Sequence, residues 1–104
     1  MDQGAVLTVI KQFERALIDK GIVIDRIVLF GSHATGTQRP DSDIDLVVIS
    51  DTFKDMDYWQ RLHLLADAIG DVFQPIEATG LTIVEWNQKE FSVAGYAKDG
   101  QVVA

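Results

Sequence analysis

Two short apolar runs and the polar residues that join them constrain the fold of this chain more than any other feature. The first run, Ile22–Ile24 together with Ile27–Phe30, ends abruptly at Gly31-Ser32, as a buried strand does when it reaches a turn. After a polar link, Asp43 and Asp45 stand at the head of a second apolar run, Ile44–Ile49. We therefore predict two strands joined through a glycine turn, with two acids where the second strand begins.

Helical periodicity places helices around these strands. Apolar side chains recur at helical spacing from Val6 to Leu17, and Gly21 is a natural stop, which predicts a first amphipathic helix. A second helix is predicted from about Met56 to Val72. The apolar positions on which this helix rests are Trp59, Leu62, Ala66, Ile69 and Phe73.

Four further segments complete the predicted fold. The stretch Pro75–Ala78 is a short third strand, and Thr82–Glu85 has the spacing of a capping box that opens another helix. Asp51–Lys54 is predicted to be a loop, and the tail 91–104 to begin as a helix that breaks at Asp99-Gly100. Because helix lies between strands, the fold class is α/β (α+β), a small mixed β-sheet flanked by helices.

Composition bounds the size and the partners of this protein. With 104 residues and 47% hydrophobic content, the chain is expected to form one domain, 1–104, around one core. The N-terminus lacks a basic flank, no apolar run is long enough to span a bilayer, and cysteine is absent, so we expect a soluble, cytoplasmic protein. A net charge of −7 argues against general binding of nucleic acid.

The acids at the second strand predict a metal site. Alternate side chains of a strand share a face, so Asp43 and Asp45 point the same way. Hard cations such as Mg²⁺ prefer oxygen ligands, and a pair of such ions can activate an attacking oxygen and neutralise a leaving pyrophosphate. Glu77 is the best candidate for a third acid, since its strand could lie about 5 Å from the first acidic strand.

The glycine turn predicts a phosphate site beside these acids. Gly31 lets the backbone approach a phosphate closely, and Ser32 would begin a short helix whose leading N–H groups favour an anion. Arg39 lies in the link between the turn and the acids, where its guanidinium could reach a triphosphate. A phosphate site facing a metal site suits nucleotide transfer from a nucleoside triphosphate.

Other interpretations of the same residues are weaker. Asp41, Asp43 and Asp45 imitate the start of a calcium loop, but Leu46 and Thr52 stand where that loop needs glycine and glutamate. The Gly31-Ser32 turn lacks the lysine of a P-loop. An acid at a strand end is often only a solvated surface residue, and this alternative applies to each of the three acids taken alone.

The joint pattern of Gly31-Ser32 and Asp43-x-Asp45 between two apolar strands resembles the minimal nucleotidyltransferases of the polymerase-beta-like superfamily. The resemblance extends to the stretch 73–78 and to Leu81-Thr82, as in small stand-alone members. It implies the nucleotidyltransferase fold, a metal-binding and catalytic triad of Asp43, Asp45 and Glu77, the cofactor Mg²⁺ and the co-substrate ATP. Members of this kind are commonly antitoxins that silence a helical HEPN-type toxin by adding AMP to a tyrosine, which would make such a toxin the partner.

One departure from the family pattern keeps a second function open. Many relatives carry arginine where this chain has Thr35, so one phosphate contact would be missing. The alternative is a catalytically inactive binding module that neutralises a helical partner protein by forming a complex with it, as a homo- or hetero-oligomer. Transfer to a small molecule ranks third, because relatives of that kind usually have extra substrate-binding structure.

Overall fold

The structure is a computed structural model that describes residues 2–39, 42–88 and 97–104. Its helices and strands alternate along the chain. In order they are α1 (Gln3–Asp19), β1 (Arg26–Phe30), α2 (Ser32–Thr35), β2 (Ile44–Ile49), a 3₁₀ helix (Asp51–Asp55), α3 (Tyr58–Val72), β3 (Ile76–Leu81), α4 (Ile83–Asn87) and β4 (Gln101–Val102).

The strands form one mixed sheet in the order β3-β2-β1-β4. β1 pairs antiparallel with both β2 and β4, whereas β2 and β3 run parallel. Parallel neighbours need a crossover connection, and α3 supplies it between β2 and β3. The predicted fold class, a small mixed sheet flanked by helices, is confirmed.

The two faces of the sheet are covered differently. On one face α1 and α3 pack against alternate residues of the central strands, and Phe13 and Leu17 of α1 are completely buried there. On the other face Trp86 of α4 packs with the intervening strand residues, among them Val47 and Ile49 of β2. Asp45 precedes Val47 by two positions and therefore belongs to this second face.

Several local predictions are confirmed, and others are wrong. The capping box predicted at Thr82–Glu85 opens α4, and α1 ends just before Gly21 as expected. The predicted loop Asp51–Lys54 is wrong, because the Ser50 hydroxyl accepts a hydrogen bond from the Thr52 N–H and opens a 3₁₀ helix there.

The C-terminal part of the chain also differs from expectation. β3 is longer than the predicted strand Pro75–Ala78 and continues to Leu81. The tail adds a fourth strand that was not predicted, because two residues are too short for a period-2 pattern. The helical start predicted near Phe91 lies outside the described residues.

The second predicted helix is confirmed as α3, but its buried face is not the predicted one. The fully buried residues of α3 are Leu65 and Ala68. Trp59 and Phe73, which define the predicted apolar stripe, are 65% and 90% exposed. Both faces carry apolar residues at helical spacing, so periodicity alone could not distinguish the face that packs on the sheet from the face that stays in solvent.

No helix in the described part of the chain is long and apolar enough to cross a membrane.

Candidate active site

The strand register brings two of the three candidate acids face to face. β2 and β3 run parallel in a register that pairs Asp45 with Glu77. Paired residues on neighbouring strands lie about 4.8 Å apart and direct their side chains to the same face. Asp45 is partly buried and Glu77 is exposed, so the pair sits where the sheet meets solvent.

Asp43 completes the group from the residue just before β2. It is exposed and lies two positions ahead of Asp45, on the same side of the extended chain. The pKa of Asp45 is raised, chiefly by burial and then by the negative charges of Glu77 and Asp43, whereas His33 acts in the opposite direction. Asp43 and Glu77 are thus both close enough to Asp45 for their charges to act on it.

The carboxylates of Asp43, Asp45 and Glu77 are suitable ligands for a divalent cation, although their present side-chain positions do not form a closed metal site. Among the described residues, no three acidic or histidine side chains converge into a ready cage for a metal ion. The backbone register nevertheless clusters hard oxygen donors, and their mutual repulsion disfavours the charged form of Asp45. Mg²⁺ prefers such oxygens and would offset this repulsion. The role of Asp43, Asp45 and Glu77 as metal ligands stays a prediction.

Gly31 packs directly against Asp45, at a position where a side chain would not fit. Phe30, at the end of β1, pairs with Asp45, so Gly31 follows directly beside it. A Cβ at Gly31 would lie 3.2 Å from Cγ of Asp45 and would overlap its Oδ2. Gly31 also has φ 73° and ψ −154°, a conformation open essentially only to glycine. The turn and the acid are therefore in direct contact.

The predicted short helix begins at Ser32, as α2. The Ala34 and Thr35 N–H groups donate to the Gly31 carbonyl over 3.1 Å and 3.2 Å, whereas the N–H groups of Ser32 and His33 have no carbonyl within the helix to bond. The Thr35 hydroxyl lies 3.3 Å from the Gly31 carbonyl oxygen and 2.8 Å from the Thr37 hydroxyl oxygen. Thr35 is therefore engaged within its own turn. Whether Gly31 and Ser32 bind phosphate stays a prediction.

Arg39 lies in the link to the acids, as the sequence requires, with an exposed side chain. Its backbone N–H donates to the Ser42 hydroxyl over 2.8 Å, and its carbonyl accepts from the Ser42 N–H over 3.0 Å. These two hydrogen bonds hold Ser42, the residue before Asp43, against Arg39. A contact between Arg39 and a triphosphate stays a prediction.

His33 has a structural role that no sequence pattern indicates. It is the one buried side chain of α2, 4% exposed, and its Nε2 lies 3.3 Å from the carbonyl oxygen of Ser42. It thereby joins the glycine turn to the residue before Asp43 and places a basic ring near Asp45. A lone histidine in a polar segment carries no sequence signal for such a contact, because the contact depends on the fold of the link.

Known proteins are similar to this chain in sequence and in fold. The nucleotidyltransferase domain model matches residues 10–98. The protein adenylyltransferase MntA of Aphanizomenon flos-aquae (strain 2012/KM1/D3) is 32% identical over 107 residues, which cover 98% of this chain and 71% of that protein.

Two solved structures are similar in fold. A Sulfolobus solfataricus protein assigned to the nucleotidyltransferases superposes with a TM-score of 0.73 at 20% identity, covering 96% of this chain and 80% of that one. A structure of a toxin-antitoxin with AMP-PNP superposes with a TM-score of 0.55 at 24% identity, covering 88% of this chain and 70% of that one. With the family model matched over most of the sequence, the chain belongs to the nucleotidyltransferase domain family, as a minimal member similar to the MntA protein adenylyltransferase.

Proposed function

We propose that this protein is a Mg²⁺-dependent nucleotidyltransferase that moves AMP from ATP to a hydroxyl of a partner protein, a tyrosine of a HEPN-type toxin. Membership of the nucleotidyltransferase family and the similarity to a protein adenylyltransferase support the reaction class. The fold shared with a toxin-antitoxin structure supports a toxin as the partner, and the resemblance to minimal nucleotidyltransferases supports the HEPN type and the tyrosine.

The acidic group carries the chemical step in this proposal. Asp43, Asp45 and Glu77 would hold Mg²⁺, which when bound activates the attacking oxygen and neutralises the leaving pyrophosphate. The acceptor oxygen forms a bond to the α-phosphorus of ATP while the bond from that phosphorus to pyrophosphate breaks. Glu77 is exposed and lies on the outer strand of the described sheet, where an incoming partner would meet it, and it would help to remove the hydroxyl proton.

The glycine turn orients the nucleotide in this proposal. Because Gly31 is in contact with Asp45, a phosphate at the Gly31-Ser32 backbone would lie beside the carboxylates. The Ser32 hydroxyl and the leading N–H groups of α2 would donate to phosphate oxygens, and Arg39 would add a positive charge. Catalysis would then consist mainly of positioning and charge neutralisation.

The observation that carries the proposal is the in-register pairing of Asp45 with Glu77 beside Gly31. The test incubates the protein with ATP, Mg²⁺ and the protein encoded by the adjacent gene, and then weighs that protein by mass spectrometry. We expect the mass to rise by one or more adenylate groups. Asp45→Asn should abolish the increment, whereas Asp67→Asn, which removes the same charge from an exposed position of α3, should retain it.

A specific observation also favours the second candidate, an inactive binding module that neutralises a helical partner by forming a complex with it. The Thr35 hydroxyl is engaged with Gly31, Ser32 and Thr37 in its own turn and supplies no positive charge where many relatives have arginine. In that case the same mixture forms a stable complex, the mass of the partner does not change, and Asp45→Asn neutralises the partner as well as the wild type does.

A further inference from the structure

The outer edge of β3 is an open strand edge that leads to the candidate active site. In the part of the chain that the structure describes, β3 is the last strand of the sheet and has β2 on one side only. Glu77 is its second residue, and the strand continues from there to Leu81. A chain segment lying along this edge would therefore reach Glu77 at one end.

The hydrogen bonds of β3 show which backbone groups face outward. The Pro75 carbonyl accepts from the Ile44 N–H over 2.8 Å, and the Leu81 carbonyl accepts from the Ser50 N–H over 2.9 Å. Both carbonyls thus point toward β2. The Gly80 carbonyl instead accepts from the Arg61 guanidinium over 3.2 Å. Backbone groups of successive strand residues alternate between the two edges, so the N–H and the carbonyl of Ala78 point outward.

A groove of about 450 Å³ runs beside this edge. β3 supplies residues 78–81 of its lining, and the first half of α3 supplies Tyr58, Leu62 and Leu65. Tyr58 is 67% exposed, and its ring meets that of the equally exposed Trp59 edge-on with centroids 5.2 Å apart. Exposed aromatic side chains next to apolar ones are typical anchors of protein interfaces.

The charges around the groove indicate which kind of segment can bind there. Arg61, the cation in the lining, is paired with Glu85 over 2.6 Å and is therefore neutralised. Asp57 is exposed and stands in the sequence between the lining residues Met56 and Tyr58, and Glu77 lies where the edge reaches the acids. Lys54 and Asp55 of the preceding 3₁₀ helix offset each other in charge. The rim is thus acidic, like the whole chain at −7.

We infer that the groove binds the acceptor segment of the partner protein: an extended segment, apolar with flanking Lys or Arg, that pairs with β3 at Ala78 and brings its hydroxyl to Glu77. Main-chain pairing would give affinity, and the apolar groove would give specificity. A second copy of this chain fits poorly, since two acidic rims would repel each other. The inference rests on the proposed function, whose acceptor it describes.

The first test truncates the groove and measures partner binding by calorimetry and AMP transfer by mass. The double variant Tyr58→Ala/Leu62→Ala should weaken binding and slow transfer about tenfold or more. The control Ile18→Ala/Val23→Ala truncates two apolar side chains that are 52% and 77% exposed outside the groove, and it should behave like the wild type. Equal binding by the groove variant and the wild type would overturn the inference.

The second test needs no substitution in the groove. Hydrogen exchange of the wild type is measured with and without the partner protein, and we expect residues 76–81 to become protected on binding. Protection elsewhere with none at 76–81, or protection of 76–81 by self-association without the partner, would overturn the inference. Asp57→Asn keeps the N-cap of α3 but removes the charge, so it should weaken binding at low salt more than at high salt.

The two proposals fail in different ways. If the wild type binds the partner and adds no AMP, the proposed function is wrong, while calorimetry and hydrogen exchange still report whether the groove is the binding surface. If AMP is transferred at the wild-type rate by the groove variant, the function stands and the groove inference is wrong.

Discussion

Asp45 on β2 and Glu77 on β3 are paired residues of two parallel strands, so two carboxylates face the same side of the sheet at one edge of the candidate site. Like charges placed directly opposite each other destabilise a sheet. Burial together with the charges of Glu77 and Asp43 raises the pKa of Asp45, which shows that the folded protein carries this repulsion. An arrangement that costs stability in this way is typical of a functional site.

Asp45→Asn should therefore stabilise the fold at neutral pH while abolishing AMP transfer. Because the pKa of Asp45 is raised on folding, the folded state holds its proton more tightly than the unfolded state, and stability falls as pH rises above the unfolded value of 3.8. Removing the charge should gain about 0.2–1 kcal/mol, or a few degrees in Tm. Thermal unfolding without divalent cations measures it. A lower Tm at pH 7, or an equal change of Tm at pH 4 and at pH 7, would show that the charge is not the cause.

Gly31→Ala should inactivate the protein, and Gly36→Ala should not. Both glycines have positive φ, near 75°, but Gly36, with ψ 16°, lies in the left-handed region that alanine adopts at a cost of about 1–2 kcal/mol, whereas the Gly31 conformation, with ψ −154°, is open essentially only to glycine. Only at Gly31 would the new Cβ also overlap the Asp45 carboxylate, whereas the space at Gly36 is open. Transfer rates measured below the Tm of each variant make the comparison. Similar loss of activity in both variants would contradict the contact between the turn and the acid.

His33 offers a test of how the link to Asp43 is held. His33→Leu fills the buried space but removes the hydrogen bond to the Ser42 carbonyl, so we expect about tenfold weaker Mn²⁺ binding and slower transfer. His33→Gln can donate to the same carbonyl from a similar distance along the side chain and should recover most of both. Mn²⁺ titration followed by electron paramagnetic resonance measures binding independently of turnover. Identical behaviour of the two variants would exclude a positioning role.

The ion pair between Arg61 and Glu85 should make stability depend on pH in acid. Burial by itself would raise the pKa of Glu85, but hydrogen bonds from Thr82 and Arg61 and the Arg61 charge outweigh burial and hold the pKa below 4.5. Stabilisation is thus present above pH 4.5 and is lost as pH falls through the lowered value. Glu85→Gln keeps the capping box and should cost less than about 1 kcal/mol, because the Glu85 side chain is 40% exposed.

The check is the free energy of unfolding of Glu85→Gln and of the wild type from pH 3 to pH 7. The difference in the free energy of unfolding between the two proteins should approach zero near pH 3. A constant difference over the whole range would mean that the charge of Glu85 contributes nothing.

The sequence predicted the relative placement of the two aspartates, because the spacing of Asp43 and Asp45 requires a common side in any strand. It offered Glu77 as a candidate neighbour on a third strand at Pro75–Ala78, but the parallel register of β2 and β3 is what places Glu77 beside Asp45. What it could not supply was long-range packing. His33 reaches Ser42 only through the fold of the intervening link, and β4 is too short to show a period.

The exposed apolar stripe of α3 is a second case in which the sequence could not predict long-range packing. Trp59 and Leu65 both recur at helical spacing with apolar neighbours, yet only Leu65 is buried. Which face a helix packs against a sheet depends on the connections at both ends of the helix, and the sequence of the helix does not determine those connections. Of the predicted stripe, Leu62 is the residue that lines the proposed docking groove.

The account depends most directly on three carboxylates sharing divalent cations beside a nucleotide. A crystal structure of this protein with Mg²⁺ and a non-hydrolysable ATP analogue measures that relationship. The account predicts oxygens of Asp43, Asp45 and Glu77 at about 2.0–2.1 Å from bound Mg²⁺, with phosphates against Gly31 and Ser32. A nucleotide bound elsewhere, or Mg²⁺ held without Asp45 and Glu77, would contradict it.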